Sequence, residues 1–107
     1  MVRLEIIVGI GFEKSGKPVE NVQEKLIALR AEAGKLLGGF NFVPSFGGYC
    51  NSAGKYVEEP GVTFVTFHEE NDSNTFAANQ FVQFAKNLFN QESIAVAVSK
   101  AQFTLVA

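Results

Sequence analysis

Between residues 47 and 64 the sequence reads GGYCNSAGKYVEEPGVTF, which sets two tyrosines and a pair of adjacent glutamates among small residues. Tyr49 and Tyr56 each carry an aromatic face and a hydroxyl. Glu58 and Glu59 stand just before a run, GVTFVTFHE, that is β-branched and aromatic throughout. A carboxylate at the mouth of such a buried strand is partly desolvated and suits a cation, and a tyrosine hydroxyl nearby orients a polar ligand. The competing reading is an ordinary hairpin loop, in which Gly47, Gly48, Gly54 and Gly61 make turns and the acids are solvated.

Other reactive side chains have weaker support. His68 is the only histidine, so no second imidazole supports a metal site, and no serine or cysteine is arranged with it in a nucleophilic motif. It reads as a partly exposed strand-end residue. Cys50 is the only cysteine, which excludes an intramolecular disulfide and agrees with a reducing compartment. The stretch GIGFEKSG, residues 9–16, has neither the spacing of a Walker phosphate loop nor that of a dinucleotide fingerprint. Gly9 can still let a ligand approach the first strand closely.

These groups need a scaffold, and the periodicity supplies one. Residues 2–12 alternate Val2, Leu4, Ile6, Val8, Ile10 and Phe12, the period of a strand with one buried face. A helix follows, with Pro18 at its first position and Val22, Leu26, Leu29, Ala33 and Leu36 on one stripe, and it ends at Gly38 and Gly39. FNFVPSF, residues 40–46, reads as a second strand that Pro44 confines to an edge or a bulge. The third strand occupies 61–69. A second helix, capped within ENDSNT and ending near Asn90, carries Ala77, Phe81, Phe84, Ala85 and Leu88. Residues 93–107 form a fourth strand, broken or bulged around 99–102. The order βαββαβ predicts an α+β ferredoxin-like sandwich, an antiparallel sheet with both helices on one face, in one domain spanning residues 1–107. The uncovered sheet face would expose Ile7, Val65 and Phe67, so a homo-oligomer is expected.

Composition narrows the function. The 107 residues are 47% hydrophobic and 19% charged, ordinary for a globular chain, with eleven phenylalanines for a core. A net charge of −2 argues against nucleic-acid binding and favours a cationic or neutral small ligand. No apolar run approaches the roughly 20 residues of a membrane-spanning helix. Met1 leads directly into a strand-like run, so a cytoplasmic location is expected.

The segments ALRAEAG, GGYC, EEPGVTFV and QESIAVAV, in that order and before a closing LVA, resemble those of the phage S-adenosylmethionine lyases, formerly called hydrolases. The resemblance places the family's tyrosine on Tyr49, with Tyr56 as the alternative, and its paired glutamates on Glu58 and Glu59. It implies that the substrate's own carboxylate attacks its γ-carbon, releasing 5'-methylthioadenosine and homoserine lactone with no metal and no cofactor. It further implies a trimer with sites between subunits, acting in the host cytoplasm if phage-encoded. Glu59 would hold the substrate's cationic end and Tyr49 the amino acid, with Glu58, Tyr56 and the close backbone at Gly48 in support. Phe42, Phe46 or Ile10 would line an adenine slot. A second, uncharacterised bacterial family is also similar, around FNQES. The alternative function is a non-catalytic, oligomeric ligand- or protein-binding module. The usual methyltransferase scaffold, a larger parallel sheet with a glycine-rich first loop, cannot be built from this order of elements, which argues against that activity.

Overall fold

A computed structural model describes residues 1–107. The elements are β1 (Val2–Gly9), α1 (Val22–Leu36), β2 (Asn41–Cys50), β3 (Tyr56–His68), α2 (Asp72–Leu88) and β4 (Ala95–Lys100). The sheet order is β2-β3-β1-β4, and the β1–β3, β1–β4 and β2–β3 pairs are all antiparallel. This is the expected ferredoxin-like α+β sandwich.

Alternation sets the buried face. Val2, Leu4, Ile6 and Val8 of β1 point towards the helices, beside Val62, Phe64 and Thr66 of β3. Phe64 is the hub of the core: Phe42 and Phe81 meet it edge-on, with ring centroids 5.3 and 5.0 Å away. Leu26, Leu29 and Ala33 of α1 and Ala78, Phe81 and Ala85 of α2 close over it. The buried Thr66 hydroxyl donates to the Gly39 carbonyl at 2.7 Å, whereas the buried Nε2 of His68 has no partner. Asn71 caps α2 through its side chain, accepting the Asn74 N–H at 2.8 Å.

Strand β1 ends at Gly9 and β4 begins at Ala95, each short of the expected run, and three further differences have a visible cause. Helix α1 starts at Val22, not Pro18, because residues 12–18 fold back on themselves. Pro18 forms a bridge with Phe12, and the Val19 N–H donates to the Gly11 carbonyl at 3.0 Å. The fixed φ of proline suits this extended bridge as well as it suits a helix start. Strand β4 ends at Lys100 rather than running to the C-terminus. Its partner β1 is exhausted there: Val2 pairs with Lys100, and the Ala101 N–H takes the last carbonyl, that of Met1, at 3.0 Å. Residues 101–107 leave the ladder, and the Phe103 ring stacks on Phe67 with centroids 4.9 Å apart. The chain therefore partly covers its own open face, where Val65 and Phe67 are half-buried and Ile7 remains exposed.

The third difference concerns the site itself. Gly47–Cys50 and Tyr56–Pro60, expected as a connection, extend β2 and β3 into one long hairpin. Only Asn51–Lys55 turns: the Asn51 side-chain carbonyl accepts the N–H groups of Ala53 and Lys55, each at 3.0 Å, and Gly54 takes a φ of 77°.

Candidate active site

In a paired hairpin, directly opposed residues share one side of the sheet and successive residues alternate. Gly47 pairs with Glu59 and Tyr49 with Val57, so Tyr49 and Glu59 are diagonal neighbours on the open face. Gly48 pairs with Glu58 and Cys50 with Tyr56, which puts Tyr56 and Glu58 together on the other side. The four chemically interesting residues are thus two pairs, separated by the sheet.

On the helix side, the Tyr56 hydroxyl donates to Glu58 Oε1 at 2.9 Å. The tyrosine ring lies directly over Gly48, where any side chain would collide with it. The hydrogen bond to the Glu58 carboxylate, with a smaller desolvation effect, raises the Tyr56 phenol above its ordinary value. Phe46 is on this side too, opposite Pro60, and is 73% exposed.

Glu59 is held differently. Its carboxylate crosses to the end of β1, and Oε2 accepts the backbone N–H of Phe12 at 3.1 Å. Gly9 and Gly11 make room for it: a Cβ on Gly9 would stand 2.7 Å from Oε1, and one on Gly11 would stand 3.0 Å from the Glu59 Cβ. The close approach expected at Gly9 therefore belongs to this carboxylate. Glu59 is half-buried, no lysine or arginine pairs with it, and no protein donor reaches Oε1. A fixed carboxylate with an open oxygen can receive a cation, since a partly dry setting strengthens the attraction relative to bulk water. Tyr49 is 55% exposed, on the same face but on the β2 side of β3, whereas the Glu59 carboxylate reaches to the β1 side.

The remaining expected residues are scattered. Ile10 is buried in the core, and Phe42 is half-buried against Phe64, with the Arg30 guanidinium 5.2 Å from its ring centroid. Of the three aromatic or aliphatic groups named for an adenine slot, only Phe46 presents a free surface. His68 lies nine residues along β3 from Glu59, about 30 Å at the rise of a strand. Cys50 is free and exposed, opposite Tyr56.

Two contributors had no sequence signal beyond their setting. Gln91, inside FNQES, donates through Nε2 to the Phe12 carbonyl at 2.7 Å. Asn90 accepts the Lys14 N–H at 2.8 Å and donates through Nδ2 to Glu13 at 3.2 Å.

No protein-family model and no curated protein matches the sequence. Solved structures do. A phage SAM lyase in complex with S-methyl-5'-thioadenosine superposes with a TM-score of 0.71 at 20% identity, covering 92% of this chain and 80% of that one. This chain has the phage SAM lyase fold. The apo form of a phage SAM lyase gives a TM-score of 0.66 at 23% identity, over 92% of this chain and 78% of that one. The same architecture occurs in a point variant of CutA1 from Pyrococcus horikoshii OT3, with a TM-score of 0.61 at 13% identity over 98% of this chain and 87% of that one. No helix is long and apolar enough to cross a membrane.

Proposed function

We propose that this chain degrades S-adenosylmethionine as a lyase, yielding 5'-methylthioadenosine and L-homoserine lactone. The observation that carries the reading is Glu59: an unpaired, half-buried carboxylate, fixed by the Phe12 N–H over two glycines, with Tyr49 on the same face. Its support from outside the chain is the fold shared with a lyase that holds S-methyl-5'-thioadenosine.

The reaction makes modest demands on such a site. A carboxylate oxygen of the substrate forms a bond to its own γ-carbon. The carbon–sulfur bond breaks, and its electron pair goes to sulfur. The sulfonium and the carboxylate are both neutralised, no water is consumed, and the leaving group needs no proton. Folding the methionyl chain into attack geometry supplies much of the acceleration, because nucleophile and electrophile are tethered. Glu59 holds the cationic end of the substrate through its open Oε1, and Tyr49 fixes the amino-acid moiety through its hydroxyl. Glu58, Tyr56, Gly48 and Phe46 line the reverse of the hairpin. They reach the same substrate only if copies of the chain assemble around it, and a trimer with shared sites is the arrangement we infer. The exposed Ile7 on the open face fits such an assembly, and it equally fits the second reading, a non-catalytic oligomeric binding module.

Incubation of the purified chain with S-adenosylmethionine, followed by mass spectrometry, tests the proposal. Methylthioadenosine with homoserine lactone is the expected result. Homoserine in place of the lactone makes the chain a hydrolase, and unchanged substrate leaves the binding module. A monomeric mass with full activity contradicts the shared site.

A further inference from the structure

The loop that presents the Phe12 N–H to Glu59 is held from within by the Phe12–Pro18 bridge and one tight turn. Between Ile10 and Val19 its internal backbone bonds run from Glu13 to Lys17, from Gly16 to Glu13 and from Val19 to Gly11. The Phe12 side chain is 38% exposed. A second grip on Phe12 comes from the far end of the chain. Gln91 Nε2 donates to the Phe12 carbonyl at 2.7 Å and to the Phe89 carbonyl at 3.0 Å. A primary amide nitrogen has two hydrogens, and both are used. Carbonyls only accept, so the amide has one orientation that satisfies both partners. The Phe89 end is immobile, since that residue closes α2 and its side chain is fully buried.

Phe12 is therefore held on both sides of its Cα: Glu59 takes its N–H, and Gln91 takes its C=O. Asn90 reinforces the hold at the next two residues, through Lys14 N and Glu13 Oε1. We propose that Gln91 is a positioning residue for Glu59, acting through the Phe12 backbone; its catalytic consequence rests on the lyase reading above. Together with the Phe12–Pro18 bridge, Gln91 steadies the residue whose N–H orients the Glu59 carboxylate. A small misplacement of a group that holds substrate in attack geometry lowers turnover by about 10–100-fold.

The test compares the full chain with Gln91→Ala, with Gln91→Glu, which keeps the shape but turns a carboxylate towards two carbonyls, and with Gln91→Lys, which restores donors. Amide exchange is followed by NMR at Phe12 and at the core residues Phe64 and Phe81, alongside turnover of S-adenosylmethionine. The expected result is a Phe12 amide exchanging roughly tenfold faster in the Ala and Glu variants while the core amides keep their protection. Turnover falls by about 10–100-fold in both, and Gln91→Lys recovers exchange and turnover together. Unchanged Phe12 exchange in Gln91→Glu overturns the proposal. So does faster Phe12 exchange with unaltered turnover, or a loss of core protection, which would make the glutamine merely structural. If the unmodified chain forms no product, the lyase reading fails, and Phe12 exchange by itself decides whether Gln91 makes the clamp.

Discussion

The Glu59 carboxylate rests on Gly9, occupying the space in which any Cβ at that position would stand 2.7 Å from its Oε1. The colliding atom is the far end of a flexible side chain, so a methyl group there is relieved by rotating Glu59 away. Gly9→Ala is expected to leave thermal stability within about 1 kcal/mol of the parent, because volume changes that flexible neighbours absorb are tolerated. Turnover of S-adenosylmethionine should fall at least about 100-fold. Gly11→Ala differs, since its Cβ would meet the Pro60 ring at 2.9 Å and the Glu59 Cβ at 3.0 Å, and neither yields easily. It should destabilise the chain by about 1–3 kcal/mol. Thermal unfolding and product assays on both variants check the contrast.

Glu59→Gln keeps the shape of the side chain and an oxygen able to accept the Phe12 N–H. It removes the charge. The expected outcome is loss of turnover with unchanged far-ultraviolet circular dichroism and melting temperature. Near-normal product formation would remove Glu59 from the site.

Tyr49→Phe and Tyr56→Phe distinguish the two sides of the hairpin. The Tyr49 hydroxyl is free on the Glu59 side, whereas the Tyr56 hydroxyl is committed to Glu58 at 2.9 Å. Removing the first should lower kcat/KM by about tenfold or more, the loss of one hydrogen bond to a polar substrate group. Removing the second should change it by less. The opposite order in steady-state assays would assign the catalytic tyrosine to Tyr56.

Tyr56 should also titrate late. Its neutral O–H donates to the Glu58 carboxylate, and ionisation would set two negative charges against each other, so the folded chain holds the proton above the ordinary phenol value. The sign follows from that raised value. The stabilisation is complete below the unfolded value of about 10 and is lost as pH rises through the higher folded one. The ultraviolet absorbance of the phenolate should show the Tyr56 phenol returning towards its ordinary range in Glu58→Gln, and Tyr56→Phe identifies which transition is its own.

Phe64→Ala tests the core that carries the hairpin. Phe64 has no exposed surface and contacts the rings of Phe40, Phe42 and Phe81. A cost of about 3–5 kcal/mol is expected from urea unfolding, the range for deleting a buried aromatic ring.

The alternation of Val2, Leu4, Ile6 and Val8, the heavy β-branched run before His68 and the stripe of Leu26, Leu29 and Ala33 determined the fold class by themselves. Each is a local pattern: side-chain direction repeats every two residues in a strand and every 3.6 in a helix, so burial is written directly into the order of residues. The same locality singled out Tyr49 and Glu59 but set Glu59 at a strand mouth, whereas it lies within β3 and Tyr49 lies near the end of β2. Local pattern could not place the end of β4, which depends on where β1 runs out of partners, nor the start of α1, where Pro18 suits either of two conformations. Nor could it divide the two tyrosines and two glutamates between faces, because that division requires the β2–β3 register, and a shift of one residue would reverse it. Only the tertiary structure brought the Glu59 carboxylate to the Phe12 N–H, 47 residues away, and Gln91 to the Phe12 carbonyl, 79 residues away. Backbone groups have no side-chain identity to read, and the contacts that orient this carboxylate are made to backbone.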